Sequence, residues 1–226
     1  MSTDAETTPP GPPRRARRRA RRGEGDHTRR EILDAADRLL VACRSASAVS
    51  VRAVANEVGL TPPAIYRYFP DKDHLIFEVC GRHFDRLDDD AVAPVLAEGL
   101  GPLETLRRIC HAYVRFGLED PEHYRVMFMG HAQHTPELYA EERILETGAL
   151  GEVIALVQET MDAGLVRDDA GDAVMVTMVI WSALHGIVAT AVAKPNMPMP
   201  PVADLVDATI DALYLGLLTD QGRDAR

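Results

Sequence analysis

Seven arginines fall within nine residues near the N-terminus, between Arg14 and Arg22. Guanidinium groups are permanently charged and bind phosphate oxygens through paired hydrogen bonds. Residues 1–75 hold 14 basic and 10 acidic residues (+4), whereas residues 76–226 hold 11 basic and 25 acidic residues (−14), which gives the net charge of −10. A cationic N-terminal part on an anionic body predicts a polyanionic partner at one end of the molecule. The alternative is that the arginine run is a linker without a binding role.

Histidine side chains form a second group of chemically competent residues. His131 and His134 lie three apart, near His123, and His111 directly follows Cys110. A zinc site needs a third ligand within reach of such a pair, and the sequence identifies none. We therefore expect exposed loop residues here, with no metal and no cofactor.

An enzyme is not indicated by any motif of the chain. The sequence contains no nucleophile–base pairing, no glycine-rich phosphate loop and no helical carboxylate–histidine motif. We expect a protein that is not an enzyme, and keep a helical metal-dependent enzyme as the less favoured alternative.

The three cysteines, Cys43, Cys80 and Cys110, are odd in number and far apart. They predict no disulfide framework, which favours a reducing, cytoplasmic compartment. The polar, arginine-rich N-terminus also lacks the apolar segment of a secretory signal.

Residues 51–70 carry the pattern of two short helices that cross through a tight turn. Ala55 is small enough for the helices to approach, Gly59 suits a left-handed turn, and Val54, Val58 and Ile65 are apolar. This pattern predicts a helix-turn-helix, a unit whose second helix enters the major groove of DNA.

The elements around this unit are predicted to be helices throughout. Aromatic residues make up only 5% of the chain, and no apolar alternation typical of strands persists. Thr28 is the expected N-cap of the first helix, Ser50 of the second and Thr61 of the third. A fourth helix is predicted from about Lys72 to Asp90, ending before Pro94. Further helices are predicted at about 102–118, 121–129, 137–163, 172–193 and 202–218, for a total of about nine.

The resulting fold class is all-α, with three regions. Residues 1–26 are expected to be a disordered, arginine-rich tail, because they contain little that could bury a core. Residues 27–75 are expected to form a three-helix DNA-binding head, and residues 76–226 a larger helical body.

The stretch from Ile65 to Leu75, Ile-Tyr-Arg-Tyr-Phe-Pro-Asp-Lys-Asp-His-Leu, resembles the signature of the tetracycline-repressor (TetR) family of transcriptional regulators. The resemblance covers about residues 28–76. It implies that Tyr66 and Lys72 bind DNA phosphates and that the start of the third helix faces base edges or sugars. The DNA-contacting residues that it implies are Ser50, Arg52, Thr61, Pro62, Pro63, Tyr66, Arg67, Tyr68 and Lys72.

Two prolines distinguish this chain from the family pattern. Pro62 and Pro63 stand where the family often has lysine or glycine, and neither proline has an amide hydrogen to donate. We therefore expect apolar contacts there, for example with thymine methyl groups. Phe69 is expected in the core of the head, Tyr68 either in that core or on DNA, and Arg52 either on DNA or as a solvated charge. The arginine run is then either an arm on DNA or a linker.

The family resemblance also implies that the body dimerises and holds a small-molecule pocket. Trp181-x3-His185-Gly186, with His123-Tyr124-Arg125-x2-Phe128, resembles a subgroup of TetR C-terminal domains with a Trp-His-Gly feature. Pockets between bundled helices are mostly apolar with a few polar groups. The candidate lining is Phe84, Tyr113, Phe116, Met127, Phe128, Met178, Trp181 and His185, and the alternative for each of them is ordinary core.

Residues 173–193 form an uncharged stretch of 21 residues, close to the length that spans a bilayer. A histidine in mid-membrane is costly, and the stretch has no aromatic belt. We expect a buried helix that, together with the last helix, pairs with its copies in a four-helix dimer seam, and no membrane span.

These expectations combine into one function. We expect a homodimeric regulator, a repressor in the usual family mode, that binds a partly palindromic operator in double-stranded DNA. A small effector would release it, and the apolar bias of the candidate lining permits a hydrophobic compound. The main alternative is a constitutive DNA-binding protein without effector control.

Overall fold

A computed structural model describes residues 24–43, 48–129, 136–141 and 144–225. The described residues form an all-α fold, as predicted, in which the single β contact is an isolated bridge between Val166 and Leu218. The arginine run, Arg14 to Arg22, and the pair His131 and His134 lie outside the described residues.

Four helices begin the described chain. They are α1 (Glu24–Cys43), α2 (Val51–Glu57), α3 (Pro62–Ile65) and α4 (Lys72–Leu87). Ser50 caps α2, since its hydroxyl accepts the Ala53 amide hydrogen at 3.1 Å. Asp71 likewise caps α4 by accepting the amide hydrogen of His74 at 2.8 Å. Thr28 is not an N-cap, because α1 begins at Glu24 and includes it. Acidic residues such as Asp26 favour the N-terminal end of a helix dipole, which explains the earlier start.

The sequence predicted that the fourth helix ends before Pro94, but the helical path continues through this residue. After α4 the chain makes a π-helical turn, Asp88–Val92, and continues as α5 (Ala93–Leu96). The Ala93 amide donates to the Asp88 carbonyl, five residues back. Pro94 has no amide hydrogen and sits in the first turn of α5, where none is needed. The wider π turn therefore carries the chain past the proline without a break.

The remaining helices build the body. They are α6 (Pro102–Glu119), α7 (Pro121–Tyr124), α8 (Pro136–Glu141), α9 (Gly148–Asp162), α10 (Ala173–Ala193), α11 (Val202–Leu217) and α12 (Asp220–Asp224). A π-helical segment, Arg125–Met129, follows α7. The single helix predicted at 137–163 is wrong: α8 and α9 are separate, and α9 starts at Gly148 with a φ of 60°. A β-carbon is strained in that conformation, so the glycine permits the break. The short α12 was not predicted.

Two separate hydrophobic clusters hold the chain together. The head cluster includes Ile32, Val54 and the fully buried Phe69, which confirms its predicted core position. The body cluster is built mainly from α6, α9, α10 and α11. Helix α4 contributes to both: its first half, including Val79, packs in the head, and Leu87 packs in the body.

Polar contacts tie α1 to α4 along their length. Arg29 pairs with Glu78, and Asp34 accepts from Arg82 at 2.7 Å. Exposed pairs of this kind contribute at most about 1 kcal/mol each. Their effect is therefore mainly on the orientation of α1 against α4.

Helix α6 packs tightly against α7 and α10 at Gly117. A β-carbon there would lie 2.6 Å from Val188 Cγ1 and 2.8 Å from Tyr124 Cδ2. We expect Gly117→Ala to lower the free energy of unfolding by about 1–3 kcal/mol through overpacking. Gly81→Ala is the matched control, because nothing lies within 4 Å of its site in α4. It should leave stability unchanged or raise it by up to about 1 kcal/mol. Urea denaturation of both variants measures this, and equal stability of the two would contradict the packing argument.

Candidate DNA-contact surface and effector site

The turn between α2 and α3 has the geometry that the sequence pattern predicted. Gly59 takes a φ of 68°, and the Leu60 amide donates to the Ala55 carbonyl at 2.8 Å, which closes the end of α2. Ala55 is fully buried against the head cluster. The predicted helix-turn-helix is therefore confirmed as the local fold of this segment.

Helix α3 is short, and its first turn is made by two prolines. Thr61 occupies the N-cap position, but its side chain makes no capping hydrogen bond. Beyond Ile65 the helical turn continues: the Tyr68 and Phe69 amides both donate to the Ile65 carbonyl, at 2.9 and 3.1 Å. Since Pro62 and Pro63 have no amide hydrogens, this helix start offers fewer backbone donors to DNA than most.

The predicted DNA-contacting residues differ in exposure. Those exposed to solvent are Ser50, Arg52, Thr61, Pro63, Tyr66 and Arg67, and those half-buried are Pro62, Tyr68 and Lys72. Tyr66 is 51% exposed, which is unusual for so large a side chain. Tyr68 packs against the head cluster, so its ring has a structural role. The contacts of these residues with DNA stay a prediction.

Ser50 illustrates how one residue serves the fold and remains available to a ligand. Its hydroxyl oxygen accepts the Ala53 amide hydrogen. A hydroxyl group has one hydrogen to donate and two lone pairs, so the capping bond leaves that hydrogen for a phosphate oxygen.

An aromatic cluster surrounds Phe128 in the body. Its ring centroid lies 4.8 Å from Tyr124, 5.3 Å from His185 and 5.8 Å from Trp181. Phe84 of α4 meets the same ring edge-on at 5.4 Å. The cluster thus connects three parts of the chain: α4, α7 with the π-helical segment that follows it, and α10.

A chain of hydrogen bonds runs through this cluster. The Trp181 indole donates to the Tyr113 hydroxyl at 3.1 Å, and the two hydroxyls of Tyr113 and Tyr124 lie 2.9 Å apart. The Tyr124 hydroxyl lies 2.6 Å from His185 Nδ1. Every group is satisfied if Tyr113 donates to Tyr124 and Tyr124 donates to Nδ1.

The environment of the cluster favours this direction. Burial raises the pKa of Tyr113 to about 12, although its bonds to Tyr124 and Trp181 act in the opposite sense. Burial raises the pKa of the Tyr124 hydroxyl even further. Burial lowers the pKa of His185, which favours a neutral imidazole. Both phenols thus keep their protons, and a neutral His185 accepts at Nδ1 while Nε2 carries the hydrogen.

The predicted pocket residues mostly contact one another. Tyr113 is buried; Phe116, Met127, Phe128, Met178, Trp181 and His185 are half-buried; and Phe84 is 40% exposed. A cavity of about 160 Å³ is lined by one of them, Phe116, together with charged residues that include Arg86 and Arg115. Most of these aromatic rings pack against the body cluster from its edge, and their assignment to a ligand pocket stays a prediction.

Tyr124 was missing from the predicted lining, yet it is 1% exposed and links Tyr113 to His185. Its place within the subgroup-like motif, two residues before Val126 and four before Phe128, was the signal available in the sequence.

Helix α10 buries one side and exposes an uncharged stripe on another. It packs on α6, α9 and α11. Among the described residues, it is the one helix whose length and composition would allow it to cross a membrane. The exposed stripe contains Met175, Val179, Ser182 and Gly186, spaced by three or four residues. On α11 the exposed residues include Ala208, Ala212 and Leu215, the last being 59% exposed.

The side chains that could bind a metal are not the ones that the sequence singled out. His111 pairs with Asp207 at 3.0 Å, and burial raises the pKa of the adjacent Cys110 thiol to about 12. A different set, Asp37, His83 and His123, converges from α1, α4 and α7. Their sequence separations are so large that no spacing motif could have indicated them.

Comparison with known proteins gives matches in both parts of the chain. Residues 32–79 match the family described as bacterial regulatory proteins, tetR family, and residues 106–213 match the tetracyclin repressor-like C-terminal domain. Together these two matches span more than half of the chain.

Several individual proteins are similar to this chain. The HTH-type transcriptional repressor KstR of Rhodococcus jostii is 36% identical over 94 residues, 41% of this chain and 42% of that protein. The HTH-type transcriptional activator FasR of Mycolicibacterium smegmatis is 27% identical over 148 residues, 66% of each. A TetR family transcription regulator of Marinobacter aquaeolei VT8 has a similar fold: its TM-score is 0.64 at 23% identity, over 88% of this chain and 99% of that one. The chain spans less than half the length of the first curated relatives that it matches.

The hydrogen-bond chain makes a prediction about stability. Tyr113→Phe removes the acceptor of the half-buried Trp181 indole N–H and breaks the buried hydrogen bond to Tyr124, so we expect the free energy of unfolding to fall by about 1–3 kcal/mol. Trp181 is the single tryptophan, and its fluorescence reports directly on this site. Tyr66→Phe removes a hydroxyl from an exposed ring and serves as the control, with an expected change within about 0.5 kcal/mol. Indistinguishable denaturation curves for the two variants would contradict the hydrogen-bond chain.

Proposed function

We propose that this chain, which belongs to the TetR family of bacterial regulatory proteins, binds an operator as a homodimer and represses transcription until a small effector binds its body. Regulators of this family bind DNA operators and small-molecule effectors and act as dimers. The observation that carries the proposal is the helix-turn-helix of α2 and α3, with Tyr66 and Arg67 exposed at its end.

Recognition of DNA is proposed to divide between phosphates and base edges. Tyr66, Arg67 and Lys72 present a hydroxyl and two cationic groups suited to phosphate oxygens. Arg52 on α2 and the exposed Thr61 supply further donors. Pro62 and Pro63 would meet thymine methyl groups, because they offer apolar surface and no amide hydrogen. Such contacts favour half-sites that contain A·T pairs at the centre of each major-groove footprint.

A second copy of the chain is the proposed occupant of the uncharged stripe. Met175, Val179 and Leu215 are exposed apolar side chains on two adjacent helices. Ser182 and Gly186 are small, which permits the close approach of a partner helix. Pairing of α10 and α11 with their copies would form a four-helix seam and cover this surface. The length and apolar composition of α10 are then those of an interface helix in a cytoplasmic protein.

Two recognition helices related by a two-fold axis would enter successive major grooves, about 34–36 Å apart. The operator is accordingly expected to be an inverted repeat. Effector binding would change the separation of the heads through α4, which connects the two hydrophobic clusters. A coupling of about 1–3 kcal/mol between effector and operator is typical of such systems.

The effector is proposed to bind at the aromatic cluster. Trp181, Phe128 and Phe84 favour an apolar or aromatic compound, and His185 Nε2–H would orient it through one hydrogen bond. Because Phe84 lies on α4, a ligand that displaces Phe128 would act directly on the helix that leads to the head.

A constitutive DNA-binding protein is the second candidate, and one observation favours it. The cavity of about 160 Å³ is smaller than the pockets of roughly 300–1,000 Å³ that hold most ligands. The two candidates differ in the response of Trp181. An effector that quenches its fluorescence and also releases the operator supports the first candidate, whereas quenching without release supports the second.

Selection of binding sites from a genomic DNA pool, at near-physiological salt, tests the proposal as a whole. We expect an inverted repeat to be enriched. Salt-sensitive binding without any enriched sequence would contradict it. Transcription in vitro from the recovered site then decides the sign of regulation, since similar proteins include the repressor KstR and the activator FasR.

Lys72 gives the sharpest test of the phosphate contacts. We expect Lys72→Ala to weaken binding to all DNA sequences and to reduce the slope of log K against log salt by about one. Tyr66→Phe should also weaken binding, with little change in slope, because its hydroxyl is neutral. The control is Lys194→Ala, which removes the chain's other lysine, at the exposed end of α10. An unchanged slope for Lys72→Ala, measured by fluorescence anisotropy, would contradict its role.

The dimer seam makes a separate prediction. Leu215→Glu places a charge in the proposed interface, and we expect it to convert the dimer into a monomer in sedimentation equilibrium. Leu145→Glu is the control, because Leu145 is 44% exposed in the turn before α9 and lies outside the seam. A Leu215→Glu protein that remains dimeric would contradict the proposed interface.

A further inference from the structure

The contact between head and body contains a polar cluster next to the two apolar ones. Asp37 of α1 reaches His83 of α4, with Oδ1 and Nε2 2.9 Å apart. The same carboxylate reaches His123 of α7, with Oδ2 and Nε2 3.5 Å apart. One potential ligand atom from each of these three residues lies within 4.8 Å of the other two.

These separations are close to those of ligands around one transition-metal ion. Zinc binds imidazole nitrogen and carboxylate oxygen at about 2.0–2.2 Å, so that two ligands of a tetrahedral site lie about 3.3 Å apart. The observed distances of 2.9 and 3.5 Å bracket this value. Two imidazoles and one carboxylate form a common donor set for divalent ions of the zinc type.

The surroundings of His123 match those of a metal ligand. Its Nδ1 lies 2.5 Å from Asp120 Oδ2. This carboxylate fixes the orientation of the ring, so that Nε2 faces Asp37. A carboxylate behind a ligating histidine is a regular feature of zinc sites, where it fixes the tautomer and raises basicity.

His83 is the most buried of the three residues. It is 4% exposed, and its Nε2 atom faces Asp37 Oδ1. Its Nδ1 atom has no hydrogen-bond partner among the described residues. A metal ion at Nε2 would replace the contact with Asp37 and leave Nδ1 as the nitrogen that carries the hydrogen.

The charge of the cluster is also suitable for a cation. Asp37 supplies a carboxylate to a donor set whose other two members are imidazoles. The nearest cationic side chains have other carboxylates: Arg82 pairs with Asp34, and Arg86 lies 4.0 Å from Asp120.

We propose that Asp37, His83 and His123 bind one divalent transition-metal ion of the zinc type, with Asp120 as the residue that positions His123. Water would complete the coordination, as it does at other sites with three protein ligands. Because the ligands come from α1 in the head and from α4 and α7, the ion would fix the orientation of the head relative to the body. This inference does not depend on the proposed function.

The test is direct metal binding by the full chain without an affinity tag. Chelator-treated protein is titrated with Co²⁺, whose visible absorption reports on its ligands, and then with Zn²⁺ in a calorimeter. We expect one equivalent of Co²⁺ per chain, displaced by Zn²⁺, and a rise in melting temperature with added Zn²⁺. Absence of stoichiometric binding to the wild-type protein would overturn the proposal.

Variants distinguish this site from other histidines. His123→Gln should abolish the Co²⁺ absorption, and Asp120→Asn should weaken binding by about 10–100-fold. His111→Gln is the matched control, because His111 also pairs with an aspartate, Asp207, away from the cluster. A double variant, His131→Gln with His134→Gln, should likewise keep full binding.

The opposite pattern would overturn the proposal. If His123→Gln and Asp120→Asn both bind Co²⁺ as the wild type does, or if the His131/His134 double variant loses the metal, the assigned ligands are wrong. Circular dichroism confirms that each variant is folded. His123 and Asp120 are partly exposed, so their substitution is milder than that of the buried His83.

Discussion

Helix α4 is the constraint on which the rest of this structure depends, because it is shared by two hydrophobic clusters that otherwise remain separate. Its first half completes the head behind the helix-turn-helix, and Leu87 anchors its end in the body. Polar pairs with α1 orient it, from Arg29–Glu78 to Asp37–His83. Apolar contacts are non-directional and would allow small rotations of the head against the body, whereas directional polar contacts favour a few defined arrangements. Any signal that passes between the two parts must act on this helix or on its contacts.

The body presents its side of that junction through aromatic residues. Phe84 on α4 contacts Phe128, and Phe128 contacts the ring pair of Tyr124 and His185. The hydrogen bonds from Trp181 to His185 have a single fully satisfied direction, which holds the buried rings in one arrangement. A ligand that competes for His185 or displaces Phe128 would disturb this arrangement beside α4. The proposed metal site takes its ligands from α1, α4 and α7, and so offers a second means of controlling the head.

The two ends of the molecule have opposite surface chemistry, which follows from the charge distribution along the chain. The head exposes Arg52, Tyr66 and Arg67, whereas the body exposes an uncharged stripe on α10 and α11 within an otherwise acidic surface. An acidic body would repel DNA, which favours the proposed binding through the head. Helix α10 has the composition of a membrane span because both of its sides are uncharged. Its buried side packs on α6, α9 and α11, and its exposed side carries the uncharged stripe.

The sequence by itself determined the local features of this protein. Ala55 and Gly59 specify the turn between α2 and α3, Ser50 and Asp71 specify helix starts, and apolar spacing specifies the buried faces. Each depends on residues a few positions apart, which is the range of capping bonds and helical periodicity. The predicted helix end before Pro94 was wrong, because a proline alone does not decide where a helix ends. A π turn at Asp88–Val92 places Pro94 in the first turn of the next helix, where its missing amide hydrogen is not needed.

Only the tertiary structure decided which distant side chains meet. Tyr124 became the centre of a hydrogen-bond chain because α6 and α10 bring Tyr113 and His185 to it. Asp37, His83 and His123 converge because three helices pack at the junction. Such encounters depend on how helices cross, which is set by the packing of whole faces and leaves no fixed spacing in the chain.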